Sequence, residues 1–325
     1  MRKYDGLFEE VVSFSNLYAA AGKARQGCTN TLESCRFFFH LETELLNIRD
    51  ELTSMTYIPG AYRFFFVNDP KKRRIAVAPF RDRVVHHAIV NVLSPIYERS
   101  YIYDSYATRP GKGTHQAVLR AQSFVRRWPW YLKADVHKYF DSVDHEILRK
   151  IIARKIRDQR LLRLLNKIIA NAPEPGRGLP IGNLTSQFLA NVYLDPFDHM
   201  VKEELRIKGY LRYMDDFILF SHSRQELKTV LGAIINNLGD KLLLQLKPSG
   251  IWINRSALGL SFLGMRIYPA LLRVRKENLK RCKKRMLNKI SIWRQGRISE
   301  ESMRDSLVSS TGHLKKFCPA LSVNL

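Results

Sequence analysis

The chain has 325 residues, of which 45% are apolar and 11% aromatic, and its 54 Lys and Arg against 30 Asp and Glu give a formal net charge of +24. This composition excludes a disordered tail and a fibrous repeat, and the length suffices for roughly two or three subdomains with separate cores. A charge excess of this size predicts a polyanionic partner, with nucleic acid first and an anionic membrane surface second.

The sequence also argues against membrane-spanning and secreted classes. No run approaches the roughly 20 apolar residues that cross a bilayer, and acidic residues lie near the start, where a secretory signal has its apolar stretch. The cysteines lack Cys-x-x-Cys spacing and the histidines lack zinc-ligand spacing. We therefore expect a reduced, intracellular protein without structural zinc.

The first half of the chain is predicted to be mostly helical. Leu7, Val11, Phe14 and Leu17 recur at helical spacing near the start. The further elements predicted in this half are a helix over Thr31–Met55, strands over Tyr62–Val67 and Arg74–Ala78 joined by an Asn68–Pro70 turn, and helices over Asp82–Tyr97 and Thr114–Arg127. Thr114 is expected to cap the last of these helices.

The second half is predicted to interleave helices and antiparallel strands irregularly. Its predicted elements are a strand over Trp130–Val136, two helices that start at an Asp144 cap and run to Asn171, a loop over Pro173–Pro180, a long helix bent at Pro196, a hairpin over Tyr210–Phe220, a helix over Gln225–Leu238, short strands, and a basic helical tail. This order favours an α+β fold over a doubly wound parallel sheet.

Two adjacent carboxylates, Asp215 and Asp216, are predicted at the tip of the apolar hairpin. They repel each other unless a cation is bound, and the alternative is a solvated turn, where Asp is common. Asp135 ends another apolar strand, and a strand beside the hairpin would bring its carboxylate toward Asp215. Three such carboxylates can hold two Mg²⁺ ions, an arrangement that activates an attacking hydroxyl and stabilises a triphosphate in phosphoryl transfer.

Five short motifs follow one another in a fixed order between about residue 60 and about residue 270. They are two basic motifs within Lys71–Arg83 and Ser105–His115, one around Asp135 within Leu132–His145, Tyr213–Asp216, and Phe262–Ile267. Together they resemble the fingers motifs, motif A, motif C and primer grip of reverse transcriptases of the group II intron-like lineage. The resemblance implies a right-hand polymerase fold, with an N-terminal helical segment and fingers over 1–125, a palm over 126–265 with finger helices near 145–180, and a basic helical thumb over 266–325.

One motif departs from the pattern of most reverse transcriptases and points to a particular group within the family. Most reverse transcriptases carry Gln-Gly-x-x-x-Ser-Pro before the long palm helix, whereas this chain has Ile181 at the first place and Gln187 at the last. This pattern is typical of reverse transcriptases from diversity-generating retroelements, and the whole sequence resembles a bacteriophage member of that family. The resemblance implies an RNA-directed DNA polymerase that copies a template-repeat RNA into cDNA with errors at adenines, in the cytoplasm of a bacterial host.

The same resemblance implies the partners. They are a structured template RNA, an RNA–cDNA duplex and a separate small basic protein, the accessory variability determinant, with two Mg²⁺ ions as cofactor, dNTPs as substrates and no membrane. Two rival interpretations stay open: a retron-like or group II-like reverse transcriptase of ordinary fidelity, and a catalytically silent RNA-binding scaffold. Because the sequence ends soon after the thumb, we expect integration and template removal to depend on other factors.

The resemblance also assigns residues to the metal and nucleotide sites. Asp135, the adjoining Val136, and the Asp pair of the hairpin are the expected metal site. On the fingers hairpin, Arg74 and then Lys72 are the expected triphosphate contacts, because a guanidinium suits bidentate phosphate binding. Gly182, in the palm-helix motif, is the further nucleotide-binding position.

Three positions are expected to affect nucleotide selection and the transfer of a proton to pyrophosphate. Ile181 has no hydrogen-bonding group where most reverse transcriptases have glutamine, so mispaired geometries would lose less relative to correct ones; the alternative is an ordinary core residue. Phe140 matches the position that excludes a ribose 2′-hydroxyl, or it packs in the core. Lys247, or the nearby Lys241, is the expected proton donor to pyrophosphate.

Two basic regions are expected to bind nucleic-acid phosphates. Arg109 and Lys112 lie in a glycine-containing loop before a helix, which suits template backbone. In 273–297 eleven basic residues stand against one acid, with apolar residues at helical spacing that would face a core. Lys280, Lys283 and Lys284 would then lie on the outer face and grip the duplex, and a membrane-surface helix is the minor alternative.

Overall fold

The computed structural model describes residues 3–26, 28, 31–68 and 72–315. The predicted turn at Asp69 and Pro70, the start of the first basic motif at Lys71, and Cys318 lie outside the described residues. Helices and antiparallel sheets are mixed along the chain, which confirms the predicted α+β class. No helix in the described part of the chain is long and apolar enough to cross a membrane.

The elements alternate irregularly along the chain. The helices are α1 Leu7–Val12, α2 Phe14–Arg25, α3 Leu32–Phe39, α4 Leu41–Thr53, α5 Phe80–Glu98, α6 Thr114–Arg127, α7 Tyr139–Ser142, α8 His145–Lys155, α9 Gln159–Ala170, α10 Leu184–His199, α11 Arg224–Leu242, α12 Lys276–Arg294 and α13 Glu300–Lys315. The strands are β1 Arg63–Val67, β2 Arg73–Val77, β3 Trp130–Asp135, β4 Gly209–Tyr213, β5 Asp216–Ser221, β6 Trp252–Arg255, β7 Leu260–Phe262, β8 Met265–Ile267 and β9 Leu272–Val274.

The chain forms two compact units. The first comprises Met1–Tyr103, Val136–Leu205 and Ala233–Lys247, and the second comprises Asp104–Asp135, Arg206–Gly232 and Pro248–Leu325. In the first unit α2 packs against α5, and α10 packs against α5 and α8. The antiparallel pair β1–β2 belongs to this unit, and Ala76 of β2 donates its backbone N–H to the Ile181 carbonyl at 2.7 Å. This bond fixes the strand pair beside the start of α10.

Two helices predicted near the start are interrupted in the structure. Ser13 is extended (ψ 139°) and its side chain accepts a hydrogen bond from the Asn16 N–H at 3.3 Å, so it caps α2 and separates it from α1. His40 (φ −113°, ψ 34°) divides the predicted helix over Thr31–Met55 into α3 and α4. A hydroxyl that caps a new helix outweighs the continuous apolar spacing around it.

Other predicted boundaries agree more closely with the structure. The Asp144 carboxylate accepts the Ile147 N–H at 3.0 Å, which confirms the predicted cap of α8. Pro196 lies inside α10, which continues as a π-helix over Met200–Glu204. The predicted cap at Thr114 is wrong, because Gly113 (φ 106°) occupies the cap position and Thr114 is the first helical residue.

The second unit contains two antiparallel sheets. One has the strand order β4-β5-β3-β6 and the other β7-β8-β9. Helix α6 packs with both, and the rings of Phe124, Trp128 and Phe220 meet at centroid distances of 5.1 to 6.3 Å. Leu279 and Cys282 of α12 pack against the same core, as their helical spacing predicts. The core therefore supports the face of β3 and β5 on which the acids are placed.

Candidate active site

A two-residue turn carries the central carboxylates. Strand β4 ends at Tyr213 and β5 begins at the directly paired Asp216, so Met214 and Asp215 form the turn. Met214 has φ 56°, the left-handed conformation that two-residue hairpins require at this place. A side chain other than glycine in this conformation is unfavourable by about 1 kcal/mol or more, so the surroundings must hold the turn.

A buried arginine holds this turn. Arg212 is fully buried and its guanidinium donates to the Met214 carbonyl at 2.9 Å. The backbone of Arg212 also pairs with the segment before α6, donating to the Asp104 carbonyl and accepting from the Tyr106 N–H, both at 2.9 Å. The turn is thus tied through Arg212 to the segment before α6, which restricts the geometry of its carboxylates.

The register of the sheet brings the predicted acids together. Asp135, the last residue of β3, lies directly opposite Asp216 on β5. Directly opposite residues of antiparallel strands point to the same face, and Asp135 lies close enough to Asp215 for its charge to act on that carboxyl. Burial and then the Asp135 charge raise the pKa of Asp215 well above its usual range. The three carboxylates therefore form one electrostatic group.

Lys133 is a residue of this group that the sequence reasoning did not assign. Its ammonium lies 2.9 Å from Oδ2 of Asp216 and donates to the Ser261 carbonyl at 3.0 Å. Burial raises the pKa of Asp216 to about 6 even though Lys133 opposes that rise. The available signal was the alternation of β3, which places Lys133 and Asp135 on one face. Lys133 links the acid hairpin to the motif at β7 and β8.

The donor chemistry of this group suits a divalent cation, although three ligands are not assembled around one point. Among the described residues, no group of three or more His, Cys, Asp or Glu is arranged to hold a metal ion. Oδ1 of Asp216 is buried without a hydrogen-bond partner, and Asp135 and Asp215 repel each other. Oxygen donors with uncompensated negative charge are what Mg²⁺ prefers. The two-ion site remains a prediction.

The other predicted residues of the second unit lie on its loop and helix surfaces. The Arg109 guanidinium donates to the Ser105 carbonyl at 2.8 Å, and the Lys112 ammonium lies 5.0 Å from the Tyr106 ring centre. The Thr114 hydroxyl is 3.3 Å from the Tyr213 hydroxyl, so the start of α6 contacts the acid hairpin. The predicted duplex contacts are all exposed on α12: Lys280, Lys283 and Lys284.

The predicted nucleotide-selection residues of the first unit surround the start of α10. Ile181 and Gln187 are half-buried. Gly182 has φ 118°, and a Cβ there would lie 2.8 Å from the Ala76 carbonyl oxygen, so only glycine fits. Phe140 is half-buried and its carbonyl accepts the Leu179 N–H at 2.7 Å.

The remaining predicted residues of this unit lie on the strand pair, in loops and near the end of α11. Arg74 and Lys72 are exposed, with the Arg74 guanidinium 3.7 Å above the Phe64 ring. Val136 is buried and pairs with Leu246 in an isolated bridge. Lys247 is half-buried and Lys241 exposed, so burial does not choose between them as proton donor.

The order of the motifs and the geometry of the acids agree with a comparison to known families. Residues 68–267, well over half of the chain, match the family described as reverse transcriptase (RNA-dependent DNA polymerase). The chain belongs to the reverse transcriptase family. The family's range includes the acid hairpin, β3, Lys133 and the palm-helix motif.

The relatives of this chain include a group II intron-encoded protein. Protein YkfC of Escherichia coli (strain K12) is 32% identical over 177 residues, which are 50% of this chain and 46% of YkfC. Group II intron-encoded protein LtrA of Lactococcus lactis subsp. cremoris is 27% identical over 200 residues, 58% of this chain and 33% of LtrA. The match thus spans less than half the length of either relative. The predicted lineage is confirmed at this level.

Proposed function

We propose that the chain is an RNA-directed DNA polymerase that extends a primer with dNTPs on an RNA template. The observation that carries the proposal is the convergence of Asp135, Asp215 and Asp216 on one face of the sheet, in a chain of the reverse transcriptase family. Clustered, half-buried carboxylates are typical of functional sites, and here burial raises the pKa of Asp215 and Asp216. A solvated turn would leave the carboxyl groups exposed, with pKa values in their usual range.

The acids would hold two Mg²⁺ ions, with Val136 next to them in the chain. Bound there, the ions supply an activated primer 3′-hydroxyl and charge stabilisation for the triphosphate. The protein's own part is to fix the carboxylates: Arg212 holds the turn through its bond to the Met214 carbonyl, and Lys133 holds one oxygen of Asp216. Positioned groups of this kind lower the barrier because they need no reorganisation during reaction.

The polymerase is proposed to use the right-hand arrangement of fingers, palm and thumb. The strand pair β1–β2 with Arg74 and Lys72 would belong to the fingers and contact the triphosphate. Gly182 would let that hairpin approach the palm helix, Phe140 would exclude the ribose 2′-hydroxyl, and Lys247 would donate a proton to pyrophosphate. The exposed lysines of α12 would follow the RNA–cDNA duplex as a thumb.

Primer extension with matched variants tests the proposal. We expect the parent to synthesise cDNA on a primed RNA, and Asp215→Asn to lose synthesis by a factor of at least about 10³ while its affinity for RNA is retained. Asp240→Asn, at an exposed carboxylate of α11, should leave both unchanged. RNA binding without synthesis in the parent, with any template or partner, would favour the catalytically silent scaffold instead.

A mutagenic polymerase of a diversity-generating retroelement is the more specific candidate. The observation that favours it is Ile181, a half-buried side chain without a donor or acceptor at the start of α10. Gln187, in the first turns of the same helix, belongs to the same sequence pattern. The similarity to a group II intron-encoded protein fits the alternative, a group II-like reverse transcriptase of ordinary fidelity. The two candidates would differ in their error spectra rather than in their chemistry.

Sequencing of cDNA separates these two candidates. An adenine-bearing template-repeat RNA would be copied by the parent, Ile181→Gln and Ile181→Leu, with and without the accessory variability determinant protein. Misincorporation opposite adenine should fall in Ile181→Gln and persist in Ile181→Leu, because only glutamine supplies hydrogen-bonding groups. Equal error rates in all three proteins would exclude Ile181 as a fidelity determinant.

A further inference from the structure

Asp104, which precedes the loop that carries Arg109 and Lys112, is a buried carboxylate outside the predicted site. Only 5% of its side-chain surface is exposed. Arg120 of α6 donates to both of its oxygens, from Nε to Oδ1 at 2.7 Å and from Nη2 to Oδ2 at 3.0 Å. The Tyr106 hydroxyl donates a third hydrogen bond, to Oδ1, at 3.1 Å. A bidentate pair of this kind fixes the orientation of the carboxylate as well as its position.

The backbone beside this carboxylate pairs with the strand that leads to the acid turn. The Asp104 carbonyl accepts the Arg212 N–H, and the Tyr106 N–H donates to the Arg212 carbonyl, both at 2.9 Å. Ser105, between them, forms a parallel bridge with Arg212. Because the carboxylate and the carbonyl of Asp104 belong to one residue, the bond of Arg120 to the side chain also restricts the backbone that pairs with Arg212.

Arg212 extends this restraint into the turn. Its guanidinium is buried and donates to the Met214 carbonyl at 2.9 Å. Met214 has φ 56°, a conformation that a residue with a side chain adopts when its surroundings impose it. Asp215 follows directly in the chain. A series of hydrogen bonds, none longer than 3.0 Å, therefore leads from Arg120 to the residue before this acid.

Helix α6 is held on the sheet by apolar contacts that do not involve the ion pair. Five of its residues lie in the core of the second unit: Ala117, Val118, Ala121, Phe124 and Val125. An ion pair with a buried partner contributes little net stability, because the loss of hydration offsets most of the attraction between the charges. What a bidentate pair does supply is a fixed geometry. The contact between Asp104 and Arg120 thus suits positioning better than packing.

We propose that Asp104 and Arg120 are positioning residues that set the geometry of the acid turn through Arg212. They act by limiting the positions that Asp215 can take. The inference rests on the proposed function, because a fixed carboxylate geometry matters where the carboxylates take part in a reaction. A displacement of about 1 Å at a reacting group can lower a rate about 10²-fold. The pair should therefore change the rate of catalysis and leave nucleotide affinity unaltered.

Primer extension and amide hydrogen exchange on the same proteins test this assignment. The variants are Arg120→Gln, Arg120→Lys and the double variant Asp104→Leu/Arg120→Met, which removes both charges together. Arg160→Gln is the matched control, because Arg160 has the same 39% exposed side-chain fraction as Arg120 and is also paired with an acid, Glu9. Each of the two guanidinium groups also lies over a phenylalanine ring, at 4.4 Å for Arg120 and 4.1 Å for Arg160.

Arg120→Gln should lower kcat about 10- to 100-fold and keep the KM for dNTPs within about twofold of the parent. Exchange should rise over residues 209–217, where the Arg212 N–H loses its fixed acceptor, and stay at the parent level in α5. Arg120→Lys should recover part of kcat, since it restores the charge without the bidentate geometry. The double variant should recover the thermal stability that Arg120→Gln loses and keep the low kcat. Arg160→Gln should match the parent in both assays.

Other outcomes overturn the assignment. An unchanged kcat in Arg120→Gln would show that the pair does not position the turn, and a raised KM with unchanged kcat would assign the pair to nucleotide binding. If the double variant regained both stability and kcat, the pair would act on the fold alone. Faster exchange in α5 as well as over 209–217 would indicate a general loosening of the protein.

The two assays also separate this inference from the proposed function, because hydrogen exchange requires no synthesis. A parent that makes no cDNA, with faster exchange over 209–217 in Arg120→Gln, would refute the polymerase and retain the positioning of the turn. A parent that makes cDNA, with kcat and exchange unchanged in Arg120→Gln, would refute the positioning and retain the polymerase.

Discussion

Removal of the Lys133 ammonium is the sharpest test of how the acid group is held. Lys133→Met keeps the length and apolar stem of the side chain and removes its charge. In the structure this loss leaves Oδ2 of Asp216 and the Ser261 carbonyl without the partner that now lies at 2.9 Å and 3.0 Å, respectively. Oδ1 of Asp216 already has no partner among the described residues, so the half-buried carboxylate of the variant would lose its one side-chain donor.

The expected magnitude follows from the exposure of the pair. Lys133 and Asp216 keep 21% and 23% of their side-chain surface. Breaking a fully buried ion pair costs about 3–5 kcal/mol, and exposed pairs contribute about 0–1 kcal/mol. One-fifth exposure places this pair between the two, so Lys133→Met should lower the free energy of unfolding by about 2 kcal/mol.

Urea unfolding of a double-mutant cycle measures this value. In Asp216→Asn the buried charge is absent, so Lys133→Met should cost about 1–2 kcal/mol less in that background than in the parent. Lys133→Arg should recover part of the loss, and Lys228→Met, at an exposed lysine of α11, should stay within about 0.5 kcal/mol of the parent. Additive losses of less than about 0.5 kcal/mol would refute the reasoning, because they would mean that water already satisfies both groups.

Three further variants test contacts that stabilise the backbone and side chains within the two units. Gly182→Ala should destabilise the protein by about 2–4 kcal/mol in thermal unfolding, because the φ of Gly182 is 118° and a Cβ would meet the Ala76 backbone. Gly232→Ala, where a Cβ meets nothing, should stabilise slightly. Equal effects of the two substitutions would contradict the close approach of the Ala76 backbone to Gly182. Arg212→Met should cost about 3 kcal/mol and reduce cDNA synthesis through the loosened turn, and full synthesis would be inconsistent with that support. Asp195 raises the pKa of His199 to about 9, so protonated His199 should stabilise the fold relative to His199→Gln by roughly 1–3 kcal/mol. This stabilisation should be complete below pH 6.5 and disappear as pH rises through 9. A difference in urea unfolding that does not depend on pH would refute the interaction between His199 and Asp195.

The geometry of the acids was predictable because two short-range rules act together. Strand alternation fixes the face of each side chain, and a two-residue turn fixes the place of Asp215. Once Asp135 is placed on a neighbouring strand, the three carboxylates must lie close together at one end of the sheet. The cap at Asp144 was predictable for the same reason, since its partner Ile147 is only three residues away.

Features that depend on distant partners could not be read from the sequence. The sequence shows that Lys133 shares a face with Asp135, but its contacts with Asp216 and Ser261 depend on the register of β3 with β5 and on the position of β7. The division of the first helix at Ser13 depends on a local cap, the Ser13 side chain on the Asn16 N–H, that competes with an unbroken apolar pattern. In each case a tertiary or capping contact decides between local conformations of similar energy.

The ammonium of Lys133 makes the three acids unequal. It compensates Asp216 within the fold, whereas the charges of Asp135 and Asp215 face each other and raise the pKa of Asp215. The repulsion that a cation would relieve is therefore concentrated on that pair, and Asp216 contributes one buried oxygen, Oδ1, that still lacks a partner. Most of the affinity for a divalent cation should then come from Asp135 and Asp215, while Asp216 ties the site through Lys133 to β7. At this end of β3 and β5, Lys133 therefore offsets part of the repulsion among the acids, and we expect a divalent cation to relieve the remainder.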